Sequence, residues 1–235
     1  MHREKGSVLI YIFIAIAVLA ALTFAVSRSS REGSSTVNRE RSDLLATQIL
    51  DYTGMIRRAI QAMKIDGLDD SDICFDSDRW GNNNYDHASC SETKNQVFNS
   101  AGGGAVFQDP SQDILDTAFS GQSQYGQWHF TGANNVTGVG SDCDPNADCN
   151  ELLLILPYIK KDVCVALNKK LQIATPGIVP ADDPDFDLTS EYAGAYVDGE
   201  TLNSANLHGK RSGCFQATTT PADGAYIFFA VLIAR

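Results

Sequence analysis

The sequence predicts an α+β protein built on one long N-terminal helix. The first half of that helix is apolar enough to be transmembrane, the second half is amphipathic, and a disulfide-bearing head ending in β-strands follows. Three observations carry this. Val8 to Val26 holds nineteen residues without a charge. Leu45, Ile49, Tyr52, Ile56, Ile60 and Met63 then recur at steps of three and four, the period of one helix face. All six cysteines, Cys74, Cys90, Cys143, Cys149, Cys164 and Cys214, lie beyond both stretches.

At about 1.5 Å per residue the apolar run makes a helix of ~28 Å, close to a bilayer core of ~30 Å. Its leader is short, polar and basic: Met-His-Arg-Glu-Lys-Gly. Three readings of this arrangement stay open. One is a cleaved signal peptide, although the run exceeds the usual apolar region of about 7–15 residues. The others are a signal anchor and a leader cut after Gly6 that leaves the apolar helix on the mature chain. Arg28 to Thr36 is polar and includes Gly33, a weak point in a helix. No proline precedes Pro110, so the helix can continue to about Lys64, where Asp66-Gly67 ends it. The organisation that follows is 1–6 leader, 7–27 transmembrane or filament-core helix, 28–66 amphipathic continuation and 67–235 head.

In the head, Asp72 to Gly126 is rich in Asn, Asp, Ser and Gly, and Asp113 to Phe119 reads as a short helical turn. Gln127 to Thr131 reads as a strand. Leu152 to Leu156 reads as a buried strand stopped by Pro157, and Asp162 to Leu171 as a helix. Pro176 to Asp187 reads as a loop. Cys214 to Thr218 and Ala225 to Ala234 flank Pro221, Asp223 and Gly224, as in an antiparallel hairpin. The final apolar stretch, Tyr226 to Ile233, belongs at the centre of a sheet.

The net charge is −11, and residues 1–31 hold four basic groups against one acid, so the rest of the chain is more acidic still. That argues against general electrostatic binding to nucleic acid, which needs a basic surface to release counterions, and leaves only a local patch of Lys160, Lys161, Lys169, Lys170, Lys210 and Arg211 open. An even number of cysteines beyond the apolar run points to disulfides in an oxidising compartment. No Cys-x-x-Cys occurs, which argues against zinc. Sequential closure pairs Cys74 with Cys90, Cys143 with Cys149 and Cys164 with Cys214. The last would tie the helix to a C-terminal strand and stabilise by about 3–4 kcal/mol.

Asp142, Asp144, Asn146 and Asp148 alternate as oxygen ligands do at the start of a calcium loop, and calcium is the one cofactor the sequence raises. Ala147 and Leu153 stand where an EF-hand needs Gly and Glu, so an irregular site and an acidic surface turn both remain open. A second acidic run holds Asp182, Asp183, Asp185 and Asp187. No catalytic constellation appears: His87, His129 and His208 are scattered and read as surface or satisfied residues, so no enzyme activity is expected.

The leader ending Lys5-Gly6, the apolar stem Val8 to Val26, the amphipathic continuation and the disulfide-bearing strands resemble the type IV pilin and pseudopilin superfamily of bacteria. The resemblance implies a long helix packed on a small antiparallel sheet. It implies cleavage by a prepilin peptidase between Gly6 and Ser7, methylation at Ser7, and partnership with other pilin or pseudopilin subunits through the apolar helix. It also implies an inner-membrane, single-pass chain with a cytoplasmic N-terminus, its head periplasmic, or extracellular after filament assembly. Pilins mostly carry Phe or Met at the first mature position and Glu at the fifth. Here those are Ser7 and Tyr11, which resembles minor or tip subunits of a pilus or of a type II secretion pseudopilus. The alternative is a single-pass membrane-anchored domain that binds a protein or calcium.

Overall fold

The computed structural model describes residues 7–76, 85–140, 149–173, 181–182 and 186–235. Side chains are described for these except at 7–9, 25–36 and 181–182. The chain divides into two units, residues 1–42 and 43–235.

Helix α1 runs Ser7–Ile65. In the first unit its described side chains from Ile10 to Phe24 are exposed and, apart from Thr23, whose hydroxyl donates to Leu19 O at 2.8 Å, apolar. In the second unit one stripe is buried: Leu45, Ile49, Tyr52, Ile56, Ile60 and Met63, with Ala46 and Ala59 beside them. The helix stops where Gly67 takes a φ of 91°. Leu68 N donates to Met63 O at 3.1 Å and Gly67 N to Lys64 O at 3.1 Å, a Schellman closure that uses two terminal carbonyls.

The strands are β1 (His129–Val136), β2 (Glu151–Ile159), β3 (Ala181–Asp182), β4 (Glu200–Leu202), β5 (Ser212–Ala217) and β6 (Tyr226–Ile233). They form one sheet in the order β3-β5-β6-β2-β1-β4. Helix α2 (Lys161–Lys170) follows β2. The hairpin β5–β6 is antiparallel and β6 sits inside the sheet, paired with β5 and β2.

Strands β2 and β6 are apolar on both faces because both faces are covered. Leu152, Leu154, Leu156, Phe228 and Ala230 share a core with α1 and with Val163 and Leu167 of α2. Leu153, Ile155, Ile227, Phe229 and Val231 pack on the other side under Phe186, Leu188, Leu202 and Leu207. Arg57 fastens α1 to the sheet. Its Nε and one terminal nitrogen donate to Val231 O at 3.1 and 2.8 Å, and that terminal nitrogen also reaches Ser212 Oγ at 3.2 Å.

Three expectations are corrected. The transmembrane assignment fails: among the described residues no helix is long and apolar enough to cross a membrane. The single-pass inner-membrane location, with a cytoplasmic N-terminus, falls with that assignment. Second, the sheet is mixed, not antiparallel: β4 runs parallel to β1 and β3 parallel to β5. Both parallel additions are edge strands of two or three residues, too short to leave a periodic pattern, and β3 lies in a stretch that reads as loop. Third, Pro157 does not stop β2. The β2–β6 register slips between Leu156 and Ile159, so Pro157 and Tyr158 form a bulge, where proline's missing N–H is tolerated.

Candidate functional site

The disulfides act as scaffold. Cys74 joins Cys90 with Cα atoms 5.3 Å apart, and Cys164 joins Cys214 at 5.5 Å. The first clips a segment that sends Phe75 and Tyr85 into the core, where Phe75 stacks on Phe130 at 4.1 Å. His87 lies close to that bridge, but both sulfurs are spent in the S–S bond and offer no thiolate to a metal. Beside the second bridge, the Asn168 amide pairs with both backbone groups of Cys214, at 2.8 and 2.9 Å. Cys149 is disulfide-bonded, while Cys143 lies outside the described residues. Asp142, Asp144, Asn146 and Asp148 also lie outside them, as does Gly6; Ser7 is the first residue of α1.

Of the histidines, His129 departs from expectation. It is fully buried on β1 opposite Ile155, with neither ring nitrogen in hydrogen-bond geometry with a described group. Burial lowers its pKa to about 4, against partial opposition from the Glu191 and Asp187 carboxylates and the Ser190 backbone.

Five distant segments of the head converge on an open cleft of about 490 Å³. Ser123 and Gln124 form one wall, Phe186 to Thr189 a second, Asp198 to Glu200 a third, and Thr220 with Pro221 a fourth. Tyr158, from the β2 bulge, supplies the floor. Its ring stacks on Phe119 at 5.4 Å and lies 6.2 Å from Tyr125.

The walls are pinned. Gln124 Nε2 donates to Leu188 O at 3.2 Å. The Asn134 amide brackets Asp187, donating to its carbonyl at 2.9 Å and accepting from its N–H at 2.8 Å. The Asp187 carboxylate closes its own loop. Oδ1 accepts from the N–H and hydroxyl of Thr189, at 2.6 and 2.8 Å, and from Ser190 N at 3.2 Å; Oδ2 accepts from the Ser190 hydroxyl at 2.7 Å. Burial alone would raise its pKa, but these hydrogen bonds outweigh it and hold the carboxyl below its ordinary value. The second acidic run thus contributes a loop cap at Asp187.

Sequence reasoning missed the cleft. Its residues come from separate loops and strands, and the pairing that creates the bulge at Tyr158 is set by β6. Pro157-Tyr158 and Asp187 were the only signals.

The chain matches no protein-family model, no curated protein and no solved structure.

Proposed function

We propose that this chain is a structural subunit of a filament like those of the pilins, assembled through the apolar part of α1. The observation that carries the reading is the exposure of Ile10 to Phe24. Ten large apolar side chains there, among them Phe13, Ile16, Leu19, Leu22 and Phe24, are each more than half exposed. Burying one such side chain is worth about 1.5–3 kcal/mol. A contiguous patch on this scale marks an interaction surface. Equivalent segments of other subunits are its partners: an all-round apolar helix buries its whole circumference only when ringed by similar helices.

In this reading a prepilin peptidase cuts between Gly6 and Ser7. Tyr11, exposed at the fifth mature position, supplies no carboxylate to neutralise a neighbour's N-terminus, which favours a minor or tip subunit. A second reading, a head that binds a ligand, is favoured by the pinned cleft. The two are compatible.

The test joins processing to assembly. Intact-mass measurement on protein purified from its own cells should give a chain that begins at Ser7. Withdrawal of detergent should then produce sedimenting assemblies, which Ile16→Asp and Leu19→Asp abolish while leaving the head folded. A chain that begins at Met1 and stays monomeric without detergent refutes the reading.

A further inference from the structure

We propose that the exposed face of α1 between Leu44 and Ile65 is a docking surface for a second copy of this chain, laid against it antiparallel. The contact goes beyond the filament reading. It lies wholly within the 43–235 unit and uses none of the apolar stem, so it stands whether or not the stem assembles.

The first observation is what stands on that face. The buried stripe from Leu45 to Met63 fixes α1 to the head. On the far side of the helix Leu44, Asp51, Arg58 and Ile65 are exposed, and Gly54 and Met55 are half-buried. Leu44 is 60% exposed and Ile65 85%. The head lies behind the helix, so two copies meeting on this face keep their heads apart.

The second is that the face matches itself when reversed. Asp51 and Arg58 lie at equal distances, about 5 Å along the axis, on either side of the midpoint between Gly54 and Met55. Leu44 and Ile65 lie at equal distances of about 16 Å. Seven residues are nearly two turns, so Asp51 and Arg58 share one line down the face. A two-fold axis through the midpoint therefore sets each Asp51 against the other copy's Arg58, and each Leu44 beside the other copy's Ile65. Every contact is made twice, as a two-fold interface requires. A parallel pair in register would instead set Asp51 on Asp51 and Arg58 on Arg58, which repel. A parallel pair staggered by seven residues would join Asp51 to Arg58 but press Leu44 on Asp51.

The third is that the charges are uncommitted and the crossing point is open. Among the described residues neither Asp51 nor Arg58 forms an ion pair within its own chain. No other element comes within 4 Å of where a Cβ on Gly54 would stand, and the nearest atom is Arg58 Nη1 at 3.5 Å. A glycine at a crossing lets two helix axes approach closely.

The experiment is cross-linking of the full chain in mild detergent with a short bismaleimide. Among the described residues no native cysteine is free to react. An equal mixture of Leu44→Cys and Ile65→Cys should cross-link between unlike chains, and each variant alone should do so far less. Met55→Cys, beside the axis, should cross-link alone, and Lys94→Cys, exposed on the head, should not. The surface is at the low end of specific interfaces, so a dissociation constant of roughly 0.1 mM is expected in sedimentation velocity, weakening with salt. Asp51→Arg and Arg58→Asp each turn two attractions into two repulsions and should weaken self-association roughly tenfold. Mixing those two variants restores both pairs and should restore the dimer. Equal cross-linking of Leu44→Cys and Ile65→Cys each alone, as in a parallel contact, overturns the proposal. So does a mixture of the charge variants that associates no better than either alone. Absence of Met55→Cys cross-linking at about 0.5 mM, in protein whose near-ultraviolet circular dichroism shows a native head, overturns it too.

Discussion

Acid should destabilise the head through His129. The imidazole is buried on β1, where among the described residues neither nitrogen is in good hydrogen-bond geometry, and burial lowers its pKa to about 4 from an ordinary 6.5. Its folded value is depressed, so the unfolded chain takes up the proton first. The stabilisation it leaves intact is full above pH 6.5 and is lost as pH falls through the window from about 6.5 to about 4. Over that window the loss approaches ~3 kcal/mol. The charged groups facing it, Glu191 and Asp187, are acids and already soften the effect. Asp187 has a lowered carboxyl pKa, so its own contribution is lost only at still lower pH. Urea unfolding of the full chain in detergent at pH 7, 5.5 and 4.5 measures the slope. His129→Leu replaces the ring with an apolar group of similar volume and should remove most of the pH dependence while shifting stability at pH 7 far less. Identical slopes for the two proteins between pH 7 and 4.5 would refute the reasoning.

Two further outcomes follow from the ties that hold the head together. Arg57→Met keeps the aliphatic stem and deletes the donors to Val231 O and Ser212 Oγ; it should lower stability by about 1.5–3 kcal/mol, read from the urea midpoint at constant m-value. Replacing Cys164 and Cys214 together by Ala opens a bridge that closes a separation of 50 residues and should cost about 3–4 kcal/mol, seen as a fall in Tm under oxidising conditions and no change under reducing ones.

What the sequence disclosed and what it hid differ in kind. Periodicity exposed the buried stripe from Leu45 to Met63, the helix around Cys164 and Leu167, and the β5–β6 hairpin, because each is written in contiguous residues. Sequential cysteine pairing coincides with the bonded pairs Cys74–Cys90 and Cys164–Cys214, each of which joins segments packed side by side. The edge strands were hidden because two or three residues carry no period. Pro157 misled because its effect depends on a neighbouring strand: at a register slip a proline lengthens β2 instead of ending it. The membrane assignment rests on apolar length, the absence of charge and a basic leader, yet among the described residues no helix is long and apolar enough to cross a membrane. His129 reads as an ordinary histidine because nothing local tells that all eight residues of β1 are buried. The cleft assembles from five segments far apart in the chain, and no linear pattern announces such a meeting.

The lopsided build of the sheet has a consequence for crowding. Its long, greasy strands, β2 and β6, are interior, while its two borders are the shortest strands it has, β3 and β4. A border of two or three residues offers almost no free ladder of N–H and C=O groups for a foreign strand to zip onto. Copies of this protein held at high local concentration are thereby kept from fusing border to border into cross-β aggregates. The head stays a discrete particle while the sticky surface is confined to a helix, whose backbone groups are already satisfied and cannot seed a sheet.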